Sequence, residues 1–390
     1  MKKIISILSA TRAEYGLLKP IIKGLSAIDE FNVRIVVTGA HLSPEFGLTY
    51  REIEKDGFSI DEKIEILLSS DSPASISKSM GLALIGFADY FQRVNPFLLI
   101  VLGDRYETIA VALAAMNQRV PIVHLYGGET TEGAIDESIR HAITKLSYLH
   151  FTSTEENRKR VIQLGEHPER VYNVGAIGIE NIKSENLLSK NELEQELGMS
   201  LTDKFALVTF HPVTLENNSS QTQIEALLDV CIKYSSIKFI FTKANADSEG
   251  RLINQLIGEY SKKYLNILLF ASLGTVKYLS AMRYSLMVIG NSSSGLVEAP
   301  SFGIPTVNIG DRQKGRIQAS SVINCEPNIN SIQKAIEIAL SEEFATIAKF
   351  TANPYGDGKT SKKIVEIIYD VVSKSEMNIK KSFYDYEENK

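Results

Sequence analysis

Asn291-Ser292-Ser293-Ser294-Gly295 follows the apolar run Leu286-Met287-Val288-Ile289 and leads into a helix-like segment carrying Glu298. A strand that runs into hydroxyls, a glycine and a helix start suits an anion. The first backbone N–H groups of a helix lack internal partners and sit at the positive end of its dipole. A carboxylate at Glu298 could then accept hydrogen bonds from a ribose diol. Together these features point to a nucleoside diphosphate, although the same serines could simply cap a helix whose glutamate faces water.

Four segments of the first half carry polar residues where strands are expected to end. In Thr11-Arg12-Ala13-Glu14-Tyr15-Gly16, Arg12 leaves the first strand just before a helix. Its guanidinium could clamp a phosphate through paired donors, or lie in a surface turn. In Gly103-Asp104-Arg105, Asp104 and Glu107 have the spacing of a helix capping box, a purely structural role. In His124-Leu125-Tyr126-Gly127-Gly128-Glu129 the paired glycines let the backbone turn tightly near a ligand, flanked by His124 and Glu129. In Asp136-Glu137-Ser138-Ile139-Arg140-His141, Asp136 lies one helical turn from Arg140 and Glu137 one turn from His141. That helix start presents two carboxylates with two positive or titratable groups, as a site or as a solvated face laced by ion pairs.

In the second half, Pro212 fixes a turn after the run at 205–209, so His211 projects towards a ligand or is satisfied by backbone. Arg312 follows the run at 306–309 in Gly310-Asp311-Arg312-Gln313, where it could also be a surface charge. Residues 353–360 imitate a P-loop, but Asn353 replaces its first glycine and no strand precedes it. They read instead as the start of a last helix at 362–372.

Short β-branched runs alternate with helical patterns throughout. Strands are expected at 4–8, 33–37, 97–102, 122–125 and 148–152, with helices at 17–28, 76–93 and 107–117. Continuous apolar strands joined by helices predict a parallel sheet covered on both faces. The alternation then restarts, with strands at 205–209, 238–242, 266–270, 286–289 and 306–309 and helices at 222–234 and 248–262. The polar segment 184–202 divides the two series, and a hinge is expected between about residues 175 and 204. The chain is therefore read as α/β, with two facing Rossmann-like, doubly wound domains and a ligand cleft at the carboxyl ends of their strands.

At 390 residues the chain is too long for one ordinary core. A net charge of −5 offers no basic sheath for a nucleic-acid backbone, which excludes nucleic acid as an expected partner. Cys231 and Cys325 are the only cysteines and form no CxxC pair, which suits a reducing compartment. The six histidines show no metal-ligand spacing, so no metal is expected. The apolar segment after Lys2-Lys3 is too short for a signal peptide, and no run approaches the ~20 residues of a membrane span, so a cytoplasmic protein without membrane contact is expected. The charged tail 380–390 reads as frayed.

Taken together, these segments resemble the hydrolysing UDP-N-acetylglucosamine 2-epimerases, which release UDP and N-acetylmannosamine at the start of sialic-acid synthesis. The resemblance runs from about residue 3 to 368. It rests on TRAEYG, GDR, HxxGGE, GAIDESIRHAITK, HPVT, GNSSSG with Glu298, and NPYGDG, in that order. Any one motif is weak; seven in this order are specific.

The resemblance implies a glycosyltransferase-B-like fold. A first domain would cover residues 1–178, a nucleotide-binding domain 179–354, and a crossover helix at 355–378 would pack back on the first. It also implies a homodimer, a UDP-sugar substrate, and neither NAD nor an obligatory metal; no GxGxxG follows the first strand. By the family's motifs, Arg12, His211, Ser292, Ser293 and Arg312 surround the diphosphate or uridine and Glu298 holds the ribose. Asp104, Glu129 and Asp136 are the acid and base candidates, with His211 also counted as catalytic. Arg105, His124, Arg140 and Asn245 are expected to bind the nucleotide sugar. Many relatives carry a polar or acidic side chain where this sequence has Tyr126.

The implied reaction begins with anti elimination of UDP across C1 and C2, giving a 2-acetamidoglucal, after which water adds and C2 is inverted. The C2 proton is not acidic in the closed sugar, so groups that grip the departing pyrophosphate act on the same barrier as the base. The nearest alternative is the same reaction on UDP-2,4-diacetamido-2,4,6-trideoxyglucose. A sensor that binds a nucleotide sugar without turnover is a further alternative, prompted by Tyr126.

Overall fold

The structure, a computed structural model, describes residues 2–132, 134–184, 186–200, 204–213, 219–244, 249–356, 358–374 and 377–385. Two compact units divide the chain. The first comprises Met1–Glu129, Asp136–Asn181 and Tyr355–Lys390, and the second Thr130–Ile135 and Ile182–Pro354.

In the first unit the strands are β1 (Lys3–Ser9), β2 (Phe31–Thr38), β3 (Ile60–Ile64), β4 (Leu98–Leu102), β5 (Ile122–Leu125), β6 (Leu149–Thr152) and β7 (Val171–Asn173). They form one parallel sheet in the order β3-β2-β1-β4-β5-β6-β7. β4 is Leu-Leu-Ile-Val-Leu, buried along its whole length, as a central strand covered on both faces must be. The strand order reverses between β1 and β4, and such reversal points are where open α/β sheets bind ligands.

The second unit repeats the plan with β8 (Lys204–Thr209), β9 (Ile237–Thr242), β10 (Ile267–Phe270), β11 (Val288–Gly290), β12 (Thr306–Ile309) and β13 (Val322–Cys325). Its parallel order is β10-β9-β8-β11-β12-β13, the order of β1 to β6 over again, and it reverses between β8 and β11.

Three strands escaped the sequence reading. β3 is Ile-Asp-Glu-Lys-Ile and alternates between half-buried and exposed, as an outer strand of a sheet does. β7 and β13 are also edge strands, and neither carries a long apolar run. The first helix, Arg12–Ser26, begins five residues earlier than expected, because Thr11 and Glu14 cap it reciprocally. The helix Thr360–Lys374 packs on this first helix, with Ile364, Ile368 and Val372 in the same core as Ile21, Ile22 and Leu25.

The described part of the tail is tied down as far as Tyr384, whereas the sequence reads as frayed over the whole of 380–390; residues 386–390 lie outside the described residues. Lys381 Nζ donates to Glu166 Oε2 (2.8 Å) and to the carbonyls of Lys145 and Ser147, at the end of the helix Asp136–Leu146. A cation at a helix C-terminus meets the negative end of the dipole. The Tyr384 N–H adds a bond to the Gly165 carbonyl.

Candidate active site

At the reversal point of the first sheet, the chain leaves β1 at Ala10-Thr11-Arg12 and β4 at Gly103-Asp104-Arg105. Gly103 has φ +74°, a left-handed turn that suits glycine. The turn is held from behind by His124, which is fully buried. Its Nε2 bonds the Gly103 carbonyl at 2.8 Å, and its Nδ1 lies 3.2 Å from Thr144 Oγ1. Burial pushes the imidazole pKa down to about 3, so His124 is neutral and donates to that carbonyl.

Arg140, on the helix Asp136–Leu146, is only 1% exposed. It donates to Asp104 Oδ2, to Glu137 Oε2 (2.8 Å) and to the Glu129 carbonyl (2.7 Å). One guanidinium therefore gathers the β4 turn, the start of its own helix and the Gly-Gly-Glu turn after β5. Glu129 is itself 95% buried, and its Oε1 accepts from Ser153 Oγ at 2.8 Å. Gly128 needs to be glycine because a Cβ there would lie 2.3 Å from the Asn157 carbonyl oxygen. Tyr126 precedes these glycines with φ +68°, and its hydroxyl accepts from the backbone N–H groups of Ile177 (2.7 Å) and Gly178 (3.4 Å), the first of the helix Ile177–Ser184.

At the reversal point of the second sheet, Asn291 performs the gathering. It is fully buried, its Oδ1 accepts from the His211 N–H (2.7 Å), and its Nδ2 donates to the His211 carbonyl (2.8 Å). Its own carbonyl accepts from Arg312 Nη1 (3.1 Å) and Gln313 Nε2 (2.8 Å). The loops after β8, β11 and β12 are thus knitted at one residue. Gly290 (φ +129°) lets β11 pass close to β8, since a Cβ would fall 1.9 Å from the Thr209 carbonyl oxygen. Ser293 stands at the cap of the short helix Ser294–Val297 but makes no side-chain capping bond. Capping alone therefore does not account for it. Ser292 Oγ accepts the Ser294 N–H (3.4 Å), and Tyr278 bonds Ser294 Oγ (2.6 Å).

A family model described as UDP-N-acetylglucosamine 2-epimerase matches residues 23–369. The chain belongs to the UDP-N-acetylglucosamine 2-epimerase family. A Campylobacter jejuni relative, named GDP/UDP-N,N'-diacetylbacillosamine 2-epimerase (hydrolyzing), is 47% identical over 88% of this chain and 89% of its own. The Escherichia coli polysialic acid biosynthesis protein P7 is 40% identical over 100% of this chain and 98% of its own. Among solved structures, the Neisseria meningitidis UDP-GlcNAc 2-epimerase bound to UDP-GlcNAc superimposes with a TM-score of 0.79 at 20% identity, over 94% of this chain and 100% of that one. The α/β fold of two Rossmann-like parallel sheets, glycosyltransferase-B-like, is the one its motifs lead one to expect.

In this epimerase-family chain the nominated residues fall into two groups. Asp104, Glu129, Arg140 and the helix start at Asp136 are gathered in the first unit; His211, Ser292, Ser293 and Arg312 cluster around Asn291 in the second. Arg12 opens the first helix beside β1, and Glu298 follows the serine helix. His124 is buried under the β4 turn, with both ring nitrogens engaged. Asn245 lies outside the described residues.

The Asp104–Glu107 capping box does not form. The helix Tyr106–Asn117 is capped from Arg105 without a side-chain bond, Asp104 is drawn to Arg140, and Glu107 is claimed by Arg105. Nor is the Asp136–Glu137–Arg140 face merely solvated, because Arg140 is buried. The sequence reading gave no ligand role to Glu14, Glu107, Asn291 or Gln313, and it left Glu137 between a site and a solvated face. Of these, Glu14 was findable from the Thr11-x-x-Glu14 capping pattern.

Among the described residues no three or more His, Cys, Asp or Glu side chains are grouped to hold a metal, and no helix is long and apolar enough to cross a membrane. A cavity of about 580 Å³ opens beside the ends of β12 and β13, lined by Asp311, Lys314, Asn324 and Lys334 among others. It lies away from the reversal point, and no nominated residue lines it.

Proposed function

We propose that the chain is a hydrolysing UDP-sugar 2-epimerase whose sugar is N,N'-diacetylbacillosamine, the 2,4-diacetamido-2,4,6-trideoxy relative of N-acetylglucosamine. The observation that carries the catalytic part is the buried Arg140, which holds Asp104, Glu137 and the Glu129 turn in one constellation. The choice of sugar rests on the 47% identical relative that bears that substrate in its name.

In the reaction, a carboxylate removes the C2 proton and the C–H electron pair forms the C1–C2 double bond. The C1–O bond breaks, and its electrons leave with UDP. Water then adds its oxygen to C1 and gives one proton to a carboxylate base, while an acid delivers a proton to C2 on the opposite face, giving the free sugar with C2 inverted. An ordinary carboxylate is a weak base for such a proton, so its removal must be coupled to the departure of UDP. Asp104, Glu129 and Asp136 serve as acid and base. Arg12, Arg312, Ser292, Ser293 and His211 stabilise the departing diphosphate, where fixed cations and donors count most. Glu298 accepts from the ribose. Tyr126 has its hydroxyl engaged at a helix start and takes no proton-transfer role.

UDP-N-acetylglucosamine is the second reading, supported by the family description and by the 40% identical polysialic acid biosynthesis protein. A proton NMR time course in D2O, run with UDP- and GDP-linked N,N'-diacetylbacillosamine and with UDP-N-acetylglucosamine, separates them. Free sugar deuterated at C2, with stoichiometric UDP, is expected from UDP-N,N'-diacetylbacillosamine. Faster turnover of UDP-N-acetylglucosamine moves the assignment to the second reading. Folded, UDP-binding protein that consumes none of the three overturns the enzymatic one.

A further inference from the structure

Glu14 is a buried carboxylate with only half of its bonding satisfied. It is 7% exposed, in the first turn of the helix Arg12–Ser26, at the carboxyl end of β1. Its Oε2 accepts from the backbone N–H groups of Ala10 (2.7 Å) and Thr11 (3.3 Å). Its Oε1 is buried without a hydrogen-bond partner, 3.9 Å from Arg105 Nε. That guanidinium is already committed. Arg105 Nε and Nη2 both donate to Glu107, which is 0% exposed, at 3.2 Å. Glu107 is in turn wedged close to Gly39, where an added Cβ would lie 2.9 Å from its Oε1.

One cation therefore faces two buried carboxylates, and such a trio does not hold two full negative charges without penalty. Glu107 receives paired donors from the guanidinium, which favour its charged form. Glu14 Oε1 has no hydrogen-bond partner and can take a proton without losing a hydrogen bond. We propose that Glu14 is a proton-linked positioning residue. Protonated, it leaves Arg105 locked on Glu107 and the Gly103-Asp104-Arg105 turn in the position where Asp104 meets Arg140. When the proton leaves, a second anion beside Arg105 competes for the guanidinium and loosens that turn.

Burial raises Glu14 to about 7, with Arg105 opposing and Glu107 reinforcing the rise. His41 and Arg12 also stand beside this turn. His41, from the turn Gly39–Leu42, is buried between Ser9 Oγ and Thr49 Oγ1 and is held neutral down to about 4 by burial. Arg12, on Glu14's own helix, keeps its charge. The proposal rests on the nucleotide-sugar reading for its catalytic consequence, but not for the proton itself.

The test is a pH titration of full-length wild type and Glu14→Gln, followed by the Arg105 Nε signal in 15N NMR and by the carboxylic-acid carbonyl band in the infrared. Glutamine keeps an acceptor for Ala10 and Thr11 and imitates the protonated acid. The wild-type Arg105 signal is expected to move with a midpoint near 7 and the infrared band to vanish with it, with neither change in E14Q. In activity, wild-type kcat/KM on whichever UDP-sugar turns over falls by about tenfold or more as the pH rises through that midpoint, and E14Q shows no fall there. Glu14→Asp retains a titrating group and must restore the Arg105 movement. Identical Arg105 titrations in wild type and E14Q overturn the proposal, as does an Arg105 shift with kcat/KM profiles that coincide. If no sugar turns over, the functional reading fails, and the NMR and infrared titrations still decide the proton's place.

Discussion

Arg140→Met tests the centre of the proposed catalytic constellation with little change in shape. Methionine fills the same slot with an unbranched chain but offers no donor. Three bonds are lost: to the Glu129 carbonyl at 2.7 Å, to Glu137 at 2.8 Å, and to Asp104. Removing one partner of a buried pair costs about 3–5 kcal/mol, because the other charge stays behind uncompensated. Here the side chains left behind, Asp104 and Glu137, are 21% and 23% exposed, so water reaches both and the lower end, about 3 kcal/mol, applies. In a unit of this size 1 kcal/mol moves the melting midpoint by about 2–4 °C, so Tm is expected to fall by about 6–12 °C. Activity is expected to fall by about 100-fold, the scale of an ångström-sized displacement of a reacting group. Adding Asp104→Asn removes one stranded charge and should recover about 1 kcal/mol, a coupling read directly from the double-mutant cycle. An Arg140→Met protein melting within about 2 °C of wild type, or a cycle that is purely additive, refutes the idea that Arg140 holds Asp104 by charge.

Three further outcomes are expected. Asn291→Asp keeps the acceptor for the His211 N–H but sets an oxygen against the His211 carbonyl at 2.8 Å; it should cost about 2–4 kcal/mol in urea unfolding and weaken UDP binding by calorimetry, and unchanged binding speaks against the knitted loops as the diphosphate site. Tyr126→Phe strips the acceptor from the start of the helix Ile177–Ser184. Hydrogen exchange at Ile177 should quicken about fivefold, the equivalent of about 1 kcal/mol of capping, and equal exchange in the two proteins counts against that role.

Lys381→Ala bears on Glu166. Burial alone would raise that carboxyl, but its bonds to His150, Lys145 and Lys381 outweigh burial and hold it at about 2. A depressed folded pKa supplies stability above the ordinary value of 4.5 that is lost as the pH falls towards 2. The variant should therefore be less stable at neutral pH, by about 1–2 kcal/mol for the lost charged bond, and should lose less than wild type on acidification. Parallel acid-unfolding curves for the two proteins contradict this assignment.

What the sequence made legible was set by how local the cause is. The run Leu98–Leu102 reads as a central strand because burial on both faces demands apolar residues at every position. Ile60–Ile64 does not, because an edge strand half open to water is free to carry Asp, Glu and Lys. The polar residues after the strands were legible as a set, but not in their pairings. Sequence spacing offers Asp136 to Arg140, but it gives no sign that the same guanidinium also takes Glu137 one position closer and Asp104 from 36 residues away. His211 and Asn291 meet across 80 residues. Which partner a polar group finds across such a span depends on how strands line up in the sheet, and no local pattern encodes that. His124 illustrates the same limit. A histidine at a strand end looks available, yet the approach of Gly103 and Thr144 occupies both of its nitrogens.

The piecewise make-up of the first unit also bears on the order in which the protein is made. Ile364, Ile368 and Val372 complete a core whose other members begin at Ile5, and Val365 lies 2.8 Å from where a Cβ on Gly24 would stand. The second unit needs only Ile182–Pro354 and the short stretch Thr130–Ile135. On the ribosome, then, the half that emerges first is finished last. Strands β1 to β7 leave the exit tunnel with an apolar groove still uncovered, and the second unit is complete before the helix that fills that groove has been translated. In that interval the incomplete core leaves apolar surface open to chaperone capture and to proteolysis.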